Sequence, residues 1–290
     1  MPPEATRRAA ITGAAAAFAA APALALAPDP FAELERSVGG RLGVASLDVA
    51  SGRRLAHRAG ERFPLCSTFK LLAVAALLAR VDRDQARLDR FIPYGPGDLL
   101  EYAPVTRAHV ADGGMPLGEL CKAAIELSDN TAANLILAQI GGPTGVTAFA
   151  RVLGDPVTRL DRNEPSLNEA KPGDPRDTTT PAAMLADLRA VTLGGVLSPA
   201  SRGRLIDWLK ANDTGAARLR AGFPPAWPAG DKTGTGANGT SNDVAVAWAP
   251  RGPILVACYL TGAAAPAGAR DETIAAVAQI AVRRFGGERG

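Results

Sequence analysis

The longest internal stretch of apolar side chains, Phe69 with Leu71 to Leu78, follows Pro64 at an interval that marks a helix start, since proline stops a helix from beginning earlier. The pattern predicts a helix, apolar nearly all round, with Ser67 and Lys70 in its first turn. Upstream, Phe31, Leu34 and Val38 mark a short amphipathic helix closed by Gly39-Gly40. Strands are expected over 41–49 and 53–58, joined through Ser51-Gly52. The middle of the chain reads as helices at 117–127, 131–140, 145–153, 181–192 and 198–210, punctuated by Gly, Pro and Asp. Strands return at 232–235, 243–249 and 254–260, the last two turning through Pro250-Arg251-Gly252. A final helix over 272–285 carries Ile274, Val277, Ile280, Ala281 and Phe285 on one stripe.

Early and late strands can share one antiparallel sheet only if the helical middle is an insertion. The expected fold is α+β. A sheet-bearing part made of residues 28–62 and 206–290 embraces an all-α part over 63–205, which includes a polar loop at 162–177. A cleft should lie at the junction, where Ser67 leaves one part and Lys232 opens the first returning strand.

Composition narrows the class of protein. Of the 290 residues, 47% are apolar and 21% charged, as in a soluble globular chain. The formal charge of +3 is small and its residues are scattered, and aromatic residues make up only 5%, so no nucleic-acid partner is expected. Arg7-Arg8, the alanine-rich run 9–27 and the small-residue site Ala23-Leu24-Ala25 have the layout of a secretory signal peptide over 1–27, with the arginine pair leaving a twin-arginine route open. That places the mature chain outside the cytoplasm, secreted or periplasmic, with no stable membrane partner. Cys66, Cys121 and Cys258 are an odd number in apolar settings and read as buried free thiols. His57 and His109 are the only histidines, too few for a zinc hydrolase and not placed to activate Cys66, so neither metal nor cofactor is expected.

Ser67 and Lys70 lie three residues apart, which puts a hydroxyl and an ammonium on one helix face at its electropositive end. By themselves they are an N-cap serine and a surface lysine. Ser128-Asp129-Asn130, alone a capping cluster, and Lys232-Thr233-Gly234, alone a strand end, complete the set Ser-x-x-Lys, Ser-Asp-Asn, Lys-Thr-Gly. The loop adds Arg162, Glu164-Pro165, Asn168 and Asp177, with Arg162 and Asp177 offering a charge pair between its ends. In these motifs, from about Leu34 to Phe285, the chain closely resembles the class A serine β-lactamases.

The resemblance implies a five-stranded antiparallel sheet and an enzyme that opens β-lactams. A strained cyclic amide needs a nucleophile, a base, an oxyanion site and an acid for the departing nitrogen. Ser67 is then the nucleophile, with the backbone N–H groups of Ser67 and Thr235 as oxyanion hole. Ser128 relays a proton to the ring nitrogen, and Lys70 and Lys232 stabilise its anion. Lys232, Thr233, Gly234 and Thr235 line the carboxylate site. Glu164, beside Asn168, activates the water that frees the enzyme, and either Lys70 or Glu164 serves as base in acylation. Asn130 contacts the substrate's side-chain amide, and Glu101 to Thr106, with Tyr102, looks like the family's cleft wall.

Several positions depart from the family pattern. Where many members place an arginine after Lys-Thr-Gly this chain has Ser241, and Arg218 is expected to supply the guanidinium instead. The position from which some members bridge to the cysteine beside the nucleophile is Gly236, and Val74 stands where another bridge would meet Cys121, so no disulfide is expected. Gly234 to Gly239 also matches the dinucleotide fingerprint, but a strand follows it rather than a helix. A D-alanyl-D-alanine peptidase and an acylated β-lactam sensor share Ser67, Lys70, Ser128 and Lys232. Glu164 argues against the first, and the second needs a membrane-spanning helix and an effector. A monomer is expected.

Overall fold

The computed structural model describes residues 29–286; the signal peptide expected over 1–27 lies outside them. In chain order the main elements are α1 (Ala32–Val38), β1 (Arg41–Asp48), β2 (Arg54–His57), β3 (Phe63–Pro64), α2 (Phe69–Val81), β4 (Phe91–Pro93), β5 (Gly114–Pro116), α3 (Leu117–Glu126), α4 (Asn130–Ile140), α5 (Pro143–Val152), β6 (Thr178–Thr179), α6 (Pro181–Leu193), α7 (Pro199–Lys210), α8 (Leu219–Gly222), β7 (Ala229–Gly236), β8 (Thr240–Ala249), β9 (Gly252–Thr261) and α9 (Ala267–Phe285). The five long strands form one antiparallel sheet in the order β2-β1-β9-β8-β7, so both ends of the chain build it, as expected.

Two apolar layers hold the sheet. On one face α9 lays Ile274, Val277 and Phe285 over Leu42, Val44, Val256 and Cys258. The second core surrounds α2, which is buried from Phe69 through Ala79 and packs against α4, α5 and the inner faces of α6 and α7. Such a helix has no solvent face, so its alanines and leucines are set by packing rather than amphipathicity. The pair β3–β6, with Leu65 N–H donating to the Asp177 carbonyl at 2.8 Å, ties the segment before α2 to the exit of the polar loop.

The differences from the sequence reading are local. Ser67 lies in a 3₁₀ turn, Cys66–Thr68, just ahead of α2, while Lys70 opens the helix proper. β8 begins three residues earlier than expected, at Thr240-Ser241-Asn242, which is polar yet buried. Its polar groups are paired internally: Thr240 with the Thr261 hydroxyl at 2.8 Å, and Asn242 Nδ2 to the Pro64 carbonyl at 2.8 Å. α9 likewise starts earlier, directly after Pro266, and its added polar turn carries Arg270 and Asp271. Gly236 to Gly239 form the end of β7 and the hairpin turn into β8, not the start of a helix.

Candidate active site

A cavity of about 360 Å³ opens between β7, the Ser67 turn and the helical layer, lined by Ser67, Tyr102, Ser128, Asn130, Asn168, Thr214, Arg218, Thr233, Gly234 and Thr235. A larger, more open hollow of about 1070 Å³ between α3 and α7 offers no nucleophile with a base beside it. The smaller cavity is therefore where the chemistry lies.

Lys70 is its centre. Its Nζ is fully buried and donates to Ser67 Oγ at 2.9 Å, the Ser128 carbonyl at 2.8 Å and Asn130 Oδ1 at 2.7 Å, with Ser128 Oγ at 3.3 Å. Glu164 Oε1 stands 3.0 Å away, forming an ion pair closed off from solvent. Burial lowers the Lys70 pKa from its ordinary value, and the Glu164 carboxylate opposes that shift. Ser67 Oγ itself lies 3.4 Å from Glu164 Oε1. The serine hydroxyl thus has within reach a carboxylate that can accept its proton and an amine joined to that carboxylate, which becomes an acceptor once its own proton moves to Glu164.

Lys232 enters from β7. Its Nζ is buried and donates to Ser128 Oγ at 3.1 Å and the Thr233 carbonyl at 3.1 Å. Burial, reinforced by the like charge of Lys70, brings its pKa down to about 7. Behind it lie Asp231 and Asp243, whose carboxyls burial holds above the usual carboxylate range. Ser128, between the two lysines, has φ +56°, a left-handed backbone held by the Lys70 bond to its carbonyl and by Asp129 after it. Asp129 caps α4 through the Ala132 N–H at 2.9 Å and accepts from Val105 N at 3.0 Å and Thr106 N at 2.9 Å. One carboxylate therefore starts the helix bearing Asn130 and fixes the 101–106 wall, where Tyr102 is half exposed.

The polar loop is pinned at both ends. Asp177 Oδ2 accepts from Arg162 Nε at 2.6 Å, and its Oδ1 accepts the N–H groups of Asp161 at 2.7 Å and Arg162 at 2.9 Å. The Ala237 N–H donates to the Asn168 carbonyl at 2.9 Å, fastening the loop to the β7–β8 turn. Glu164 is buried, with Asn168 Nδ2 donating to its Oε2 at 2.5 Å. Asn134 clasps its backbone, accepting from Glu164 N and donating to Glu164 O, each at 3.0 Å.

Glycines let β7 lie against Ser67. A Cβ at Gly234 would stand 3.0 Å from the Leu65 carbonyl and 3.2 Å from Ser67 N, so the strand backbone runs beside the Ser67 amide. A Cβ at Gly236 would meet Cys66 Sγ at 2.6 Å, so these two positions are adjacent. Cys66, Cys121 and Cys258 are buried and unbridged, and burial pushes the Cys66 thiol far up, which removes it as a nucleophile.

Arg218 reaches the cavity but is largely committed within the protein. Its Nε donates to Asp271 at 2.7 Å and its Nη1 to the carbonyls of Gly234 at 3.0 Å and Asn242 at 2.8 Å, while Nη2 donates to Thr235 Oγ1 at 2.9 Å. It braces the end of β7 and meets the cavity wall through Thr235. Ser241 accepts from Arg270 Nε at 3.0 Å, so a different arginine serves that position.

The structure brings together Ser67, Lys70, Ser128, Asn130, Glu164, Asn168 and Lys232, with Thr233, Gly234, Thr235, Arg218 and Tyr102 on the cavity wall and Arg162–Asp177 behind it. Sequence reasoning missed Asn134, Thr214 and Asp271. Asn134 lies one turn after Asn130, on the same helix face, and that spacing was its one available signal.

Residues 29–285 match the model of the beta-lactamase enzyme family. The chain is 49% identical over 250 residues to β-lactamase CTX-M-25 of Escherichia coli, covering 86% of each protein. It is 50% identical over 263 residues to β-lactamase AST-1 of Nocardia asteroides, covering 90% of this chain and 84% of that one. Among solved structures it superposes with TM-score 0.86 and 63% identity on a class A β-lactamase of the last common ancestor of Gram-negative bacteria, over 88% of this chain and 97% of the other.

Proposed function

We propose a residue-level mechanism from one premise: this chain belongs to the class A serine β-lactamases and hydrolyses β-lactams, conferring resistance to them. Ser67 Oγ attacks the lactam carbonyl and its proton passes to the Lys70–Glu164 pair, which acts as one coupled base. Negative charge develops on the carbonyl oxygen beside the N–H groups of Ser67 and Thr235. As the C–N bond breaks, Ser128, with an ammonium on each side, gives its proton to the ring nitrogen and takes from Lys70 the one drawn from Ser67, which restores the base. Lys232, Thr233 and Thr235 receive the substrate carboxylate, Arg218 holds Thr235 in place, and Asn130 and Tyr102 border the substrate's side chain.

Glu164, anchored by Asn134 and Asn168, then takes a proton from water as it attacks the acyl-enzyme. The observation that carries the reading is the single ammonium of Lys70 set 2.9 Å from Ser67 Oγ and 3.0 Å from Glu164 Oε1, joining the two half-reactions. A peptidase with slow deacylation has no use for a carboxylate there. Penicillins and cephalosporins are the proposed substrates, of an exported monomer that needs no cofactor.

A chromogenic cephalosporin such as nitrocefin tests this. The wild type is expected to turn it over catalytically and Ser67→Ala to lose activity by roughly 10⁴-fold or more. Stoichiometric colour change only, or undiminished turnover by Ser67→Ala, would overturn the assignment.

A further inference from the structure

Thr214 faces the cavity from the loop between α7 and α8, and the mechanism above gives its hydroxyl no part. Its Oγ1 stands 2.5 Å from Thr233 Oγ1, a contact in which either hydroxyl can donate, and 2.8 Å from Asn212 Oδ1. The Asn212 amide has one workable orientation. Thr214 N lies 3.0 Å from Asn212 Oδ1, and a backbone N–H can only donate, so the amide oxygen must be on that side. On the other side Nδ2 donates to Asp231 Oδ2 at 2.6 Å, and Arg220 donates to Asp231 Oδ1. Asn212 and Asp231 are buried, and a Cβ at Gly215 would stand 1.7 Å from Asp231 Oδ2, so this frame is packed against backbone and cannot turn.

Within the frame only two protons are free to choose. A threonine hydroxyl has one proton and two lone pairs. When Thr214 donates to Asn212, the threonine–threonine contact must be made by Thr233 donating, and Thr233 then shows the cavity lone pairs alone. When Thr214 donates to Thr233, the Thr233 proton is released toward the cavity. Asn212 Oδ1 keeps the Thr214 N–H in both arrangements, so the reversal strands no buried acceptor.

We propose that Thr214, oriented by Asn212, is a positioning residue that sets the direction of the Thr233 hydroxyl. In the free enzyme the chain runs Thr233 to Thr214 to Asn212, and a carboxylate in the cavity reverses it so that Thr233 donates to the anion. This rests on the assignment of Thr233 to the substrate carboxylate. The hydroxyl at 214 holds that proton back until the anion arrives, and so tempers affinity for it.

The test compares kcat/KM for a penicillin and for its methyl ester, whose ratio reads recognition of the carboxylate. Thr214→Val removes the acceptor that holds the Thr233 proton. The acid-to-ester ratio is expected to rise about three- to tenfold, the worth of one hydrogen bond, chiefly through KM, while Thr214→Ser keeps the wild-type ratio. An unchanged or lower ratio in Thr214→Val overturns the proposal. Thr233→Val separates the two claims: a lowered ratio supports Thr233 as a carboxylate contact, and an unchanged one removes that assignment and this inference together. Neutron diffraction of the unsubstituted enzyme needs no variant to fold. Deuterium on the line from Thr233 to Thr214 is expected, and deuterium pointing from Thr233 into the empty cavity would refute the proposal.

Discussion

Lys232 is held between opposing influences. Burial and the charge of Lys70 favour its neutral form, and Asp231 and Asp243 favour the charged one; the balance leaves it near 7. A group with a lowered pKa loses its charge as pH rises through that value, and an incoming carboxylate restores it by raising the pKa. The alkaline limb of kcat/KM for a carboxylate-bearing β-lactam is therefore expected to begin near pH 7, and that of kcat at higher pH. A guanidinium does not deprotonate in this range, so Lys232→Arg should abolish that limb whatever its overall rate. A pH–rate profile in which Lys232→Arg breaks at the same pH as the wild type would place the titration elsewhere. The groups proposed to act by their own charge or proton, Ser67, Lys70, Ser128, Glu164 and Lys232, stood out by residue type and motif. Asn134, Asn212 and Thr214 did not, because each meets its neighbours through ordinary polar groups, which sequence alone does not distinguish from solvated ones.

At the scale of elements, the polar loop shows how local structure serves the reaction. Arg162 and Asp177 close it, β3–β6 fixes its exit to the strand before Ser67, and Asn134 fixes Glu164 to α4. Asp177 is 1% exposed and accepts three hydrogen bonds at the loop's two ends. Asp177→Asn weakens all of them and is expected to destabilise the protein by about 2–4 kcal/mol. It should also slow deacylation more than acylation, because Glu164 rides on this loop and Ser67 does not. Thermal unfolding with pre-steady-state burst kinetics checks both; a lower melting temperature with undisturbed deacylation would make the pin purely structural. Helices opened by Pro143, Pro181 and Pro199 stood near their expected places because a proline starts them. The buried polar start of β8 and the two-residue pairing of β3 with β6 were not legible, since long-range contacts rather than any local pattern create them. The division at 62/63 and 205/206 is a proposal about folding units, and its second cut falls within α7.

Across the whole molecule, the inserted helical layer exists to bring distant residues to one point. Ser67 and Glu164 are separated by 97 positions and Ser128 and Lys232 by 104, yet a single buried network joins them. The antiparallel sheet supplies the rigid edge, the 3₁₀ turn ahead of α2 supplies Ser67, and the loop supplies Glu164, the group proposed to end the cycle. The order of motifs made this architecture readable at the outset, while the ångström-scale orientation that decides substrate preference emerges only from packing. The central claim is that acylation and deacylation are separate steps, with Glu164 indispensable to the second. The most direct measurement is the intact mass of Glu164→Ala after mixing with a penicillin. A persistent adduct of one substrate mass, absent from wild type and from Ser67→Ala, is expected, because without the Glu164 carboxylate the buried Lys70 loses the partner that holds its pKa up and can take the Ser67 proton alone. Rapid return of Glu164→Ala to its unmodified mass with continued turnover would contradict the account.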